Sequence, residues 1–140
     1  MTKRYPGSCL CGQVTFDATG FSDEAAACHC TMCRKFHGAA FGTLVEAEGF
    51  RWKSGEELLV DYKGSNDTVR TSCSNCGSSL AFRASGAGQS SIEIAIACFD
   101  EELPVEIDTH IYTNYKACWY DPPDNFPVYG EGRAKEEKGS

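Results

Sequence analysis

Gly7-Ser8-Cys9-Leu10-Cys11-Gly12-Gln13-Val14-Thr15-Phe16-Asp17-Ala18 holds two patterns side by side. From Gln13 to Ala18 polar and apolar residues alternate, the period-2 signature of a strand with one buried face, and Val14 and Phe16 are predicted to face the core. Ahead of that strand stands a Cys-x-Cys pair, a spacing that brings two sulfurs within reach of one metal ion. Pro6-Gly7, just before it, reads as a turn.

The same strand grammar recurs outward along the chain. Ala25 to Cys28, Ala40–Glu46, Phe50–Trp52, Leu58–Tyr62, Val69–Cys73, Ser79–Ala84, Ser91–Phe99 and His110–Tyr112 are strand candidates separated by Gly, Ser, Asn and Pro clusters. Thr31 to Phe36 predicts one helical turn, with Thr31 as N-cap and Gly38 beyond its end. No long amphipathic helix is present, so the expected class is mainly β and antiparallel, either a barrel or two packed sheets. Ser85 to Ser90 has the composition of a hairpin tip, and Arg133 to Ser140, with no apolar anchor, is expected to be a flexible polar tail on a single domain spanning 1–132.

The chain has 140 residues, a length that suits one domain. Thirteen Lys and Arg against 20 Asp and Glu give a formal net charge of −7, opposite in sign to a nucleic-acid-binding surface. The longest clean apolar stretch, Ile94 to Phe99, is far short of a bilayer span, and no secretory signal is legible behind Met1, so neither membrane nor export is expected and the cytoplasm is. Nine cysteines in that setting point to metal rather than disulfides, because a reducing compartment disfavours pairing and an odd count cannot pair completely within one chain.

Seven of those cysteines fall into three groups: Cys9-x-Cys11, Cys28-x-Cys30-x-x-Cys33 and Cys73-x-x-Cys76. Zinc takes four thiolate or imidazole ligands in a structural site and keeps one position open in a catalytic site. The economical partition pairs Cys9 and Cys11 with Cys73 and Cys76 around a structural zinc. Cys28, Cys30 and Cys33 then cap a second ion whose fourth position is left for water or an incoming thiolate. The alternatives are redox-inert core thiols for the first set, and for the second a closed zinc completed by His29, His37, Cys98 or Cys118, or a redox cluster. His29, flanked by two ligands, is expected to turn away from the ion, exposed or supporting a ligand. His37 can approach across the helical turn, while His110 reads as a strand histidine and Cys98 as a buried structural thiol. Seven thiolates and two Zn²⁺ take the net charge from −7 to about −10. Three thiolates leave the second ion at roughly −1, which weakens its power to acidify water and disfavours simple hydrolysis. A soft thiol is the better occupant of the vacancy.

These motifs resemble those of the glutathione-dependent formaldehyde-activating enzyme family, also called the GFA or CENP-V group. Gly7 to Val14 is similar to its opening CxCG strand, Cys28-His29-Cys30-Thr31-Met32-Cys33-Arg34 to its CxCxxCR segment, and Ser72 to Gly77 to its CxxCG knuckle. His110-Ile111-Tyr112, Lys116 to Tyr120, Pro127 and Gly130 resemble its C-terminal signature. The resemblance implies an antiparallel Mss4-like β-tent with zinc knuckles and little helix. It also implies two Zn²⁺, a structural ion on Cys9, Cys11, Cys73 and Cys76 and a catalytic ion on Cys28, Cys30 and Cys33. The implied activity is that of a carbon-sulfur lyase joining glutathione and formaldehyde as S-(hydroxymethyl)glutathione.

Three functions compete on the sequence. In the first, a thiol held as thiolate attacks an aldehyde carbon, with the proton supplied by water or His37. Arg34 and Lys35 then draw a carboxylate-bearing thiol, unless they only form an exposed helix face, and Tyr115, Trp119 and Tyr120 wall a pocket or pack a core. In the second, both zincs are closed and the domain is a protein-interaction module. The third, a methionine sulfoxide reductase, requires Cys98 or Cys118 as nucleophile.

Overall fold

The computed structural model describes residues 3–85 and 91–132; the hairpin tip expected at 85–90, apart from Ser85 itself, and the polar tail expected at 133–140 lie outside the described residues. In chain order the strands are β1 (Tyr5–Ser8), β2 (Thr15–Ala18), β3 (Gly20–Phe21), β4 (Ala25–Cys28), β5 (Gly42–Glu48), β6 (Arg51–Ser54), β7 (Leu59–Lys63), β8 (Thr68–Cys73), β9 (Ser79–Ala84), β10 (Glu93–Ala95) and β11 (Ile107–Ile111). Between β4 and β5 runs α1 (Thr31–His37), and short 3₁₀ turns sit at Glu56–Leu58, Ile96–Cys98 and Thr113–Tyr115. The fold is mainly β, as the alternation predicts. It divides into two compact units, residues 1–23 with 45–104 and residues 24–44 with 105–140, the first residues of β5 belonging to the second unit and the remainder to the first.

In the first unit β1, β2 and β6 form an antiparallel sheet. Val14 and Phe16 are fully buried, and the Phe16 ring meets those of Phe50, Trp52 and Phe99 at centroid distances of 5.5, 5.9 and 5.3 Å. Pro6-Gly7 is not a turn: both residues lie in β1, with Gly7 opposite Phe16. A Cβ at Gly7 would overlap the Phe16 ring, so the glycine is there for space. A second antiparallel ladder runs β7, β8, β9, β10, with Leu59 opposite Cys73, Thr71 opposite Ala81 and Ile94 opposite Ala81. Of the strand expected over Ser91–Phe99 only β10 forms before the chain closes into the Ile96–Cys98 turn.

In the second unit β4 lies between β11, to which it is parallel, and the start of β5, to which it is antiparallel. His110 stands opposite Ala27, Ile111 opposite Cys28, and Cys28 opposite Gly42. The parallel pair is the exception to the expected antiparallel plan. The helix α1 follows at once. Its N-cap is Cys30 rather than the expected Thr31, because the Cys30 sulfur accepts from the Cys33 N–H at 3.3 Å and Thr31 already has helical backbone. Gly38 ends it in the left-handed region, as expected.

Candidate metal centre

Each unit holds one group of sulfurs. In the first, Cys9 follows β1, Cys73 ends β8, and two tight turns bring Cys11 and Cys76 beside them. Gly12 donates its N–H to the Cys9 carbonyl at 3.0 Å and Gly77 to the Cys73 carbonyl at 2.8 Å. Both glycines have φ +82°, a conformation that side chains resist, so each knuckle needs a glycine after its second cysteine. The four sulfurs lie within 4.8 Å of one another, Cys9 and Cys11 at 3.5 Å. Tetrahedral thiolates at about 2.3 Å from zinc stand about 3.8 Å apart, so this set fits the ion. The Ser78 hydroxyl braces the two knuckles, 3.2 Å from the Cys76 sulfur and accepting the Leu10 N–H at 2.8 Å.

The thiols themselves call for a cation. The Ser78 hydroxyl pulls Cys76 down to about 5. At Cys9 burial opposes ionisation, yet the Val14 N–H and the Cys11 thiol hold it below the ordinary thiol range. Cys73 is pushed the other way: backbone N–H groups at Cys76 and Asn75 favour its thiolate, but burial and the sulfurs of Cys76 and Cys9 outweigh them. Sulfurs this close cannot all ionise without a compensating positive charge. Cys98 is half-buried, its thiol pointing to the Ser79 carbonyl at 3.4 Å, and burial followed by the charges of Cys9 and Cys76 pushes it up to about 11. It lies outside the four-sulfur set.

In the second unit the sulfurs of Cys28, Cys30 and Cys33 lie within 4.8 Å of one another, and no fourth His, Cys, Asp or Glu ligand atom among the described residues joins them. Cys28 comes from the end of β4, Cys30 caps α1, and Cys33 occupies the buried side of its first turn. Hydrogen bonding to Cys30 and Cys33, then burial, drives the Cys28 thiol far above its ordinary range, again a site short of a cation. All nine cysteines are free.

The His37 ring and Cys33 meet at Gly42. A Cβ at position 42 would strike the His37 ring, standing 2.7 Å from its Nε2 and 3.4 Å from the Cys33 Cβ. Nothing in the sequence pattern signals Gly42. His29 is neither exposed nor a ligand: it is fully buried, with its N–H on the Ile111 carbonyl at 2.9 Å and its Nε2 2.9 Å from His110 Nδ1. Burial, then the charges of His110, Lys116 and Arg34, lower its pKa to about 4, and burial lowers His110 too, so both rings are neutral near pH 7 and share one N–H between them. Phe41 and Tyr120 close around the pair at 5.1 and 5.9 Å from His29.

Tyr112 stands at φ +57°, a strained value for a tyrosine, at the turn after β11. Burial and then the charges of Cys28, Glu131 and Cys30 raise its phenol, which keeps it protonated. Tyr120 is half-buried in the histidine block, whereas Tyr115 and Trp119 are exposed, so only the first packs a core. Arg34 is half-buried and donates from Nη1 to the Tyr115 carbonyl at 2.8 Å; Lys35 and Cys118 are exposed.

Residues 4–115 match the family described as glutathione-dependent formaldehyde-activating enzyme. No curated protein matches the chain. Among solved structures, a Rhodobacter sphaeroides protein determined as a structural-genomics target is 25% identical, with a TM-score of 0.54 over 71% of this chain and 91% of that one.

Proposed function

From the premise that this chain belongs to the glutathione-dependent formaldehyde-activating enzyme family, we propose that it is a zinc-dependent carbon-sulfur lyase-type enzyme, joining a small thiol such as glutathione to formaldehyde and releasing them again. The reading is carried by the inequality of the two sulfur sets, four donors in one and three in the other. Cys9, Cys11, Cys73 and Cys76 would hold a structural ion, and Cys28, Cys30 and Cys33 the catalytic one. Bound at the triplet, zinc supplies the positive charge that keeps a substrate thiol deprotonated.

The protein's own groups do the rest. His29, bonded through its backbone to Ile111 and through its ring to His110, fixes the loop that aims Cys28 and Cys30. In the forward direction the thiolate sulfur forms a bond to the carbonyl carbon, the C=O π pair moves to oxygen, and that oxygen takes a proton. His37, whose ring borders Gly42 beside Cys33, takes the proton that the thiol loses and delivers it from Nε2 to that oxygen, and the same transfer runs backward in the reverse direction. The free cysteines suit a reducing, cytoplasmic setting.

Exchange spectroscopy on formaldehyde and glutathione mixtures tests the reading. Zinc-loaded protein is expected to speed adduct equilibration, and a Cys30→Ser variant to return it to the uncatalysed rate. Wild-type protein carrying both metals yet leaving that rate unchanged would overturn it.

A further inference from the structure

Strand β7 has β8 on one side and, among the described residues, no strand on the other, and Val60 to Lys63 along it are exposed. Which backbone groups it leaves open follows from its ladder. The Gly64 N–H reaches the Thr68 carbonyl at 2.8 Å and the Ser74 N–H reaches the Leu58 carbonyl at 2.8 Å, so the even-numbered residues of this stretch exchange their bonds with β8. The backbone groups of Leu59, Asp61 and Lys63 point the other way. The Leu59 N–H turns back to the Glu56 carbonyl, which leaves the outward donors of the edge at Asp61 and Lys63.

Side chains alternate between the two faces of the strand. Val60 and Tyr62, 47% and 67% exposed, share one face. Asp61 and Lys63, opposite in sign, share the other. Asp61 holds Arg83 at 3.1 Å and the Thr71 hydroxyl at 2.7 Å, and Lys63 meets Asp67 at 3.3 Å. An open apolar edge invites another strand, and charges placed on it usually repel one. Here the charges select a register instead. Set antiparallel against a copy of itself about Asp61, the strand puts carboxylate on carboxylate; set about Lys63, it puts ammonium on ammonium. Set about Tyr62, each Asp61 faces the Lys63 of the other copy. That register also lays the open backbone groups together: every Asp61–Lys63 pair exchanges both of its N–H···O bonds, and the two Tyr62 residues fall at the closer, non-hydrogen-bonded position, with Cα atoms about 4.5 Å apart. Arg83, Asp61, Lys63 and Asp67 then alternate in sign across the junction.

We propose that β7 is a self-association surface, through which two copies of this chain pair antiparallel about Tyr62 and continue their sheets across a two-fold axis. An interface of two five-residue strands belongs to the small class, below about 1,200 Å², in which association is transient. The dissociation constant is expected at about 100 μM.

Sedimentation of the zinc-loaded full chain at concentrations up to about 1 mM tests the proposal. Lys63→Glu and Asp61→Lys should each weaken association at least about tenfold, and an equal mixture of the two variants should recover it, because every facing pair then joins opposite signs. Asp61→Lys also removes the partner of Arg83, so Lys63→Pro serves as a second probe: it deletes an outward N–H together with the ammonium, leaves the ladder to β8 intact, and should abolish the dimer. In a sample mixed from isotope-labelled and unlabelled chains, an intermolecular NOE between the two Tyr62 Hα atoms should report the register. A chain that stays monomeric to about 1 mM, a dimer that Lys63→Glu and Lys63→Pro leave unchanged, or a dimer without the Tyr62 contact overturns the proposal.

Discussion

Asp17 accepts from Arg4 Nε at 2.8 Å and from Arg51 Nε at 2.9 Å, and is only 4% exposed. Burial pushes its carboxyl up, but the two guanidinium groups more than offset that and hold it below its ordinary 3.8. A depressed folded-state value means that the contribution is present above pH 3.8 and is lost as pH falls through the lower, folded one. Asp17→Asn should therefore cost about 1.5–3 kcal/mol in urea unfolding at neutral pH, and the gap to wild type should close below about pH 4. The alternation in β2 marks Val14 and Phe16 correctly but gives no sign that Asp17 is buried, because a period-2 pattern carries no word of arginines 13 residues before and 34 after. Gly42 is equally silent in sequence, since its job is to leave room for His37 and Cys33. Gly42→Ala should weaken metal at the triplet roughly tenfold, as measured by competition with a chelator, while the four-sulfur set keeps its ion.

The seven-residue α1 is too short to persist alone and is held by its ends: the Cys30 sulfur at one, the left-handed Gly38 at the other. Gly38→Ala, forced to φ +62°, should cost about 1 kcal/mol and lower the melting temperature by about 2–4 °C. The end of this helix was legible because glycine past the last turn is a strong signal. Its start is displaced by one residue because a cysteine does the capping where threonine is the usual choice. The missed β1 has the same kind of cause: Pro6-Gly7 is turn chemistry by composition, but the glycine is needed for close approach to Phe16. At residues 94–99 a continuous apolar run does not separate a strand from a helical turn, and the chain uses both.

At the scale of the molecule, the division of seven cysteines into four and three was readable because Cys-x-Cys and Cys-x-x-Cys restrict geometry locally. The His29–His110 block was not, because its partners are 81 residues apart and neither has a short-range signature. Each compact unit carries one of the two sulfur sets. Metal analysis should find two zincs in wild type and one in Cys30→Ser, with cooperative unfolding retained. Stripping both ions should unfold the first unit, since a structural zinc contributes on the order of 10 kcal/mol against a typical net stability of about 5–15 kcal/mol. No helix among the described residues is long and apolar enough to cross a membrane.

The central claim is that the Cys28, Cys30 and Cys33 site accepts a sulfur from outside the chain. Absorption spectra of the cobalt-substituted protein, recorded as glutathione is added, test it most directly. One of the two cobalt centres should change toward four-sulfur coordination as the thiol binds, and that change should vanish in Cys30→Ser. Two centres whose spectra already match four protein ligands and do not respond to the thiol would contradict it.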